Sequence, residues 1–402
     1  MTPPRRRATL PAAKSAGQST GGAGSKASKR TVGAGLKPAQ PPAKRIASAR
    51  SRSAGHLVVS IGCPAGVGPE VSVAAALRYA AGEAPAGPGR TRVRGARPSV
   101  VLVGDSATLR AAVDFLGVGE HLLVPFAMSA DGAPAPPGAV LVYDPGVRVS
   151  PRDRAPGAPT RRAGAAQLAF IEAAYGLTRA LPRAALVTGP VSKEAIARSG
   201  VPGSETFLGH TEWLQALDGA ASSVMCFASQ ALVTSLVTTH LPVSAVPSAL
   251  TRSGVKTACV ALAELLAARG HAEPRIAVCS LNPHAGEGEL LGVEERTAIA
   301  PGIGAARRAC AARFIGPIGA ETAYRKAARG EYAGVVAMYH DQATIPMKLL
   351  AFGDAVNITM GLSIVRTSVD HGTGYDIAWR GTADPSGMLS ALVCAEQLLA
   401  RR

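Results

Sequence analysis

From residue 56 the chain alternates short apolar runs with longer stretches of helical spacing. "HLVVSIG" reads as a buried strand, "CPAGVG" as a loop, and "PEVSVAAALRYAAG" as a helix opened by proline. "SVVLVGD" and "AVLVYD" are further strands, each closed by Gly or Asp. "GAAQLAFIEAAYGLTRAL" is long enough for a helix, and "AALVTG" is a strand feeding another loop and helix. Later come "ALVTSLVTTH", the helix "GVKTACVALAELLAARG", and the strands "RIAVCSLN" and "GVVAMYH". A last helix, "SGMLSALVCAEQLLARR", ends in basic residues that suit its dipole.

Strands alternating with helices over nearly 350 residues predict an α/β protein with a largely parallel sheet. In such folds ligands gather at the carboxyl ends of strands. A length of 402 residues predicts two domains. We place the first at 56–200, completed by 380–402, and the second, with the candidate site residues, at 201–379. Residues 81–97 and 144–163, rich in Arg, Pro and Gly, read as loops or insertions, and there is no internal repeat.

The net charge of +16 changes this picture only at one end. Residues 1–55 hold twelve Lys and Arg and no acid, whereas the rest carries 31 basic against 27 acidic side chains. A basic Pro/Gly/Ser/Ala-rich segment without apolar periodicity is predicted to be disordered. A polyanion-binding tail, a transit-like leader and a misassigned start compete for it, and a dispensable tail fits best. Nucleic acid as the main partner is therefore disfavoured. Six cysteines (63, 226, 259, 279, 310 and 394) are scattered singly, which points to reduced thiols in a cytoplasm. No apolar stretch reaches the roughly 20 residues that span a bilayer.

"VVAMYHDQATIPMKL" raises the central question, because an apolar strand ends on His340, Asp341 and Gln342. Alone, such a histidine is better read as a packed or capping residue. Three of the eight histidines, however, each end an apolar run: His240, His284 and His340. At equivalent strand ends they could converge on one crevice, and neutral imidazoles suit Zn²⁺ or another divalent ion. Spacings of 44 and 56 residues are no local metal motif, yet together the three favour a shared site.

Groups suited to an anion lie around them. "GHTE" supplies His210 and Thr211, "NPHAGEGE" adds Asn282, and Lys348, Asn357 and Arg366 follow at nine-residue intervals. A solvated surface is the bland reading of Lys348 and Arg366, weakened by their apolar neighbours in "IPMKLL" and "LSIVRTSV". "GCPAGVGPE" is a glycine-rich turn between strand and helix, but neither the dinucleotide nor the P-loop fingerprint occurs. G-x-S-x-G is also missing, which leaves a serine hydrolase without support.

Seven blocks now fall into one order over residues 62–373: "PAGVGPE", "LVTGPVSKEAI", "GHTEWL", "TTHLPVSAV", "LNPHAGEGELLGVEE", "AMYHDQATIPMK" and "VNITMGLSIVRTSVDHGT". They resemble the 4-hydroxythreonine-4-phosphate dehydrogenase family of vitamin B6 biosynthesis. The resemblance implies a two-domain α/β/α fold similar to isocitrate and isopropylmalate dehydrogenases, which bind NAD without the glycine fingerprint. It implies a homodimer with active sites between subunits, NAD or NADP, and a divalent metal (Zn, Mg or Co). It gives metal-ligand roles to His240, His284 and His340, and substrate contacts to His210, Thr211, Lys348, Asn357 and Arg366. The implied reaction is oxidation and decarboxylation of 4-phosphohydroxy-L-threonine to 3-amino-2-oxopropyl phosphate, with no general base named. Two positions depart from the pattern: Cys63 and Glu321 stand where the family usually has an acid and Asp. Either could mark a relative acting on a four-carbon sugar-acid phosphate, such as erythronate or threonate 4-phosphate.

Overall fold

Short runs of Val, Ile, Leu and Ala become strands here because helices cover both faces of the sheet, so no polar alternation is needed. The computed structural model describes residues 55–83, 97–126, 138–351 and 353–401. Apart from Gly55, the basic segment 1–55 lies outside the described residues, as does most of the 81–97 insertion.

The first part of the body runs β1 (His56–Ser60), α1 (Gly68–Ala80), β2 (Ser99–Val103), α2 (Ser106–Leu116), β3 (Leu123–Pro125) and β4 (Val140–Tyr143). It continues with α3 (Arg161–Ala180), β5 (Ala184–Thr188) and α4 (Lys193–Ala197). Then follow α5 (His210–Asp218), β6 (Val224–Ala228), β7 (Val233–Leu236), α6 (Val246–Ala249), α7 (Arg252–Ala268) and β8 (Arg275–Cys279). The chain ends with α8 (Ala300–Arg307), β9 (Arg313–Ile318), α9 (Ala320–Ala328), β10 (Gly334–Ala337), α10 (His340–Ala351), β11 (Val356–Met360), β12 (Val365–Val369) and α11 (Ser386–Leu399). Caps agree with the sequence at several starts: Asp105 accepts from the Thr108 N–H at 2.9 Å, and Thr160 and Thr251 cap α3 and α7 in the same way.

Among the described residues the strands form one sheet, in the order β3-β4-β2-β1-β5-β12-β11-β6-β7-β10-β8-β9. The set from β3 to β12 is parallel. β11 is antiparallel to both β12 and β6, and β6 to β7. β7, β10, β8 and β9 are parallel again. Three successive reversals make this second set run opposite to the first. The result is the α/β architecture with a largely parallel sheet that the alternating pattern predicts, made mixed by the antiparallel pairs at its centre. The last helix, α11, returns to pack on α1, β5 and β12. Among the described residues, no helix is long and apolar enough to cross a membrane.

Candidate functional site at the strand ends

β7, β10 and β8 are neighbours in the sheet and point the same way. Beyond their carboxyl ends stand His240, His340 and His284 respectively, each in the segment that leaves the strand. His340 is the first residue of α10, so the strand ends three residues earlier than its apolar run. The rings of His240 and His340 face each other with centroids 5.5 Å apart. His340 Nδ1 lies 2.8 Å from Asp341 Oδ1, and His240 Nδ1 lies 3.8 Å from Glu212 Oε1. A carboxylate at Nδ1 turns Nε2 the other way, which is how metal-binding imidazoles are held. The nearness of His240, with a smaller effect of the Lys193 charge, keeps the Glu212 carboxyl below its usual range despite partial burial. This pair therefore fits two ligands of a divalent ion.

His284 is placed differently. It is exposed, in the turn Pro283–Gly286, with φ of 52°. Among the described residues, no three His, Cys, Asp or Glu side chains of this chain come together as a metal-ligand set. The expected convergence thus holds for two histidines within one chain and not for the third. From His284 to Glu289 every residue has positive φ, at about 1–2 kcal/mol for each one that is not glycine. Glu321, at the start of α9, is near enough for His284 to help lower its carboxyl, after the larger effect of the Thr322 hydroxyl.

Most of the residues expected to bind an anion form a second cluster. Arg366 on β12 is 2% exposed. Its Nη1 donates to Thr359 Oγ1 on β11 at 2.8 Å, and its Nη2 to Thr188 Oγ1 at the end of β5 at 2.7 Å. Its Nε is buried without a partner among the described residues, a donor left over for a ligand. Burial lowers the guanidinium to about 10, opposed by the charge of Glu212. His210 and Thr211 open α5, where free backbone N–H groups favour an anion. Burial first, then Arg366 and Lys193, push the His210 imidazole well below 6.5, so it stands neutral, with Nε2 unpartnered. A Cβ on Gly209 would come 3.1 Å from Glu212 Oε2 and 3.6 Å from Lys193 Nζ. Glu212 and Lys193 thus crowd one point, linking the arginine cluster to His240.

Asn357 lies two residues before Thr359 on β11, hence on the same face, with its Oδ1 buried and unpartnered. Lys348 departs from the sequence argument. It is exposed on α10, beside Leu349 at 81% exposure, so its apolar neighbours do not bury it. Its charge reaches Asp370, whose carboxyl is raised by burial and partly restored by Lys348, His340 and His371. Cys63 is buried with Sγ 3.5 Å from the Tyr375 hydroxyl, and burial raises its thiol. Reading the sequence missed Lys193, Glu212, Thr188, Thr359 and Asp370. Lys193 and Glu212 stand inside the blocks "VSKEAI" and "GHTE", which held the available signal.

Fold and site together define an α/β protein with a buried arginine whose Nε is left unpartnered, beside a histidine pair suited to a divalent ion. The family model described as pyridoxal phosphate biosynthetic protein PdxA matches residues 96–395, and the chain belongs to that family. It is 38% identical to a 4-hydroxythreonine-4-phosphate dehydrogenase of Desulfosudis oleivorans, over 83% of this chain and 93% of the relative. With the enzyme of that name from Caulobacter vibrioides the figures are 39%, 86% and 98%. Among solved structures, a Klebsiella pneumoniae 4-hydroxythreonine-4-phosphate dehydrogenase superposes with TM-score 0.69 at 32% identity, covering 86% of this chain and all of the other. A terephthalate 1,2-cis-dihydrodiol dehydrogenase from Burkholderia xenovorans gives 0.57 at 27% identity, covering 85% and 98%.

Proposed function

We propose that this chain oxidises and decarboxylates 4-phosphohydroxy-L-threonine to 3-amino-2-oxopropyl phosphate, using NAD or NADP and a divalent metal, in vitamin B6 synthesis. The observation that carries the reading is the buried Arg366, with a free Nε, linked through Glu212 to the His240–His340 pair. One small molecule with an anionic group near a hydroxyl would suit both.

Arg366 and the start of α5, with His210 and Thr211, receive the phosphate. Lys348, Asn357 and the neutral His210 orient the rest of the substrate, so that its C3 hydrogen faces the nicotinamide. His240 and His340 would hold two positions of a divalent metal: Zn, Mg or Co. When bound, the ion supplies Lewis acidity towards the C3 oxygen and the dinucleotide supplies the hydride acceptor. Oxidation at C3 leaves a ketone β to the carboxylate, so loss of CO₂ needs no further cofactor.

The third metal position goes to His284 of a second copy in a homodimer. Its outward placement on an exposed turn supports this, as does its separation from the other two within one chain. The two oppositely directed parallel sets support two lobes, 56–200 with 380–402 and 201–379, although β12 pairs with β5 of the first. Six free thiols support a reducing, cytoplasmic setting.

A second reading, a dehydrogenase of erythronate or threonate 4-phosphate, is favoured by Glu321 beside His284, since one added methylene shifts a carboxylate near the ligand set. The deciding experiment follows NADH formation with the amino acid and the two sugar-acid phosphates, with chelator and after Zn²⁺, Mg²⁺ or Co²⁺. Preference for the amino acid, lost on chelation and restored by metal, is expected. Preference for a sugar acid selects the second reading, and no turnover with any combination rejects both.

A further inference from the structure

Six consecutive residues, His284 to Glu289, have φ of 52, 55, 84, 43, 66 and 77°. Only Gly286 and Gly288 take such values freely, because elsewhere Cβ crowds the following carbonyl. A run like this persists only where its surroundings over-determine it. One carboxylate fixes its entry. Glu295, 7% exposed, accepts at Oε1 from the backbone N–H groups of Leu281 and Asn282, both at 2.9 Å. Its Oε2 accepts from Asn282 Nδ2 at 3.0 Å, and lies 3.0 Å from where a Cβ on Gly286 would stand. Asn282 Nδ2 is also bonded by Glu294 Oε2 at 2.7 Å. One side chain thus grips the chain before the turn and touches its middle.

We infer that Glu295 is a positioning residue whose buried carboxylate holds the left-handed turn and thereby aims His284. The inference rests on the proposed role of His284 as a metal ligand. Both carboxylate oxygens of Glu295 are taken up by Leu281 and Asn282. It acts by satisfying two backbone donors that would otherwise be free to pair elsewhere and relax the turn. Glu295→Gln keeps the shape but puts an amide N–H₂ where one accepting oxygen stood, against an N–H or the Asn282 amide.

The test uses the full chain carrying Glu295→Gln, His284→Ala or both. Two quantities are read: amide exchange over residues 281–292 without metal, and Co²⁺ affinity followed by the ion's visible absorption. We expect Glu295→Gln to speed exchange in 281–292 while β1 and β5 stay protected. It should weaken Co²⁺ binding about tenfold or more, in the range typical of residues that orient metal ligands. It should weaken it no further once His284 is gone, as two residues acting through one ligand require. Unchanged exchange and unchanged Co²⁺ affinity in Glu295→Gln overturn the inference and leave the ligand role standing. Faster exchange with His284→Ala binding Co²⁺ normally, or no Co²⁺ binding by the unaltered chain, overturns the ligand role and the aim assigned to Glu295. If Glu295→Gln does not fold, Asn282→Ala, which removes only the amide link, is read against the same outcomes.

Discussion

Arg366 on β12 donates to Thr188 at the end of β5, 2.7 Å away and 178 residues earlier in the chain, while its other terminal nitrogen bonds Thr359 on β11. Two neighbouring strands thus aim one buried guanidinium, and its Nε remains for a ligand. Arg366→Lys keeps the charge but cannot bond both threonines at once. We expect KM for the phosphorylated substrate to rise about 100-fold with a smaller change in kcat, since a charge-assisted bond is worth about 1.5–3 kcal/mol. Initial rates over a range of substrate concentrations decide it. An unchanged KM would remove Arg366 from the substrate site.

The division of the histidines predicts complementation between copies. His240→Ala and His284→Ala should each abolish metal-dependent activity. Mixed and reassembled, they should recover about a quarter of unaltered activity, because half of random dimers are mixed and each holds one intact site. If all three ligands came from one chain, no mixture would recover any. The readout is activity against mixing ratio, with a His240→Ala and His340→Ala mixture as the inactive control.

Much of this was legible in the sequence where chemistry and local pattern coincide. β1, β2, β5, β8, α7 and α11 follow their apolar runs closely, because run length and helical spacing separate the strands from the helices. The sequence does not mark out β6, β11 and β12; β6 and β11 pair with each other from far apart in the chain, which no local pattern announces. The apolar neighbours of Arg366 predict a buried charge that needs partners, and it is buried and bonded. The same argument fails for Lys348, because α10 turns that apolar face outward, and a run of sequence does not tell which side of a helix is covered. Glu212 and Lys193 could not be read as a link to His240, as their meeting depends on the close approach at Gly209.

The neutral His210 predicts acid sensitivity. In the unfolded chain its pKa lies near 6.5, whereas in the fold it is well below that. As pH falls below 6.5 the unfolded state takes up a proton that the folded state refuses, so stability drops, by at most about 1.4 kcal/mol per pH unit from this group. His56, also lowered by burial, acts in the same direction. His210→Asn cannot protonate and should lose less stability between pH 7 and pH 5, with the His56 contribution remaining. Glu212, whose depressed pKa acts only below 4.5, stays out of this window. Urea unfolding at both pH values measures the difference, and equal losses in the two proteins would refute a buried neutral His210.

The segments that carry the three histidines also carry apolar side chains facing water: Leu241 and Val243 after His240, Leu290 and Leu291 after His284, and Ile345 and Leu349 after His340. Leu290 is 83% exposed. Exposed apolar side chains beside polar site residues suit a surface that another protein would cover. In the proposed dimer that cover is a second copy, which would bring its His284 to the His240–His340 pair. Leu290→Glu or Leu349→Glu would bury an unpaired carboxylate, at a cost of several kcal/mol, and should raise the dimer dissociation constant about 100-fold or more. Light scattering across a concentration series reads the mass, while far-ultraviolet dichroism checks that the monomer stays folded. Metal affinity should fall together with dimerisation, because an isolated chain keeps only His240 and His340. A variant that dissociates yet binds metal as tightly as before would show that each site is complete within one chain.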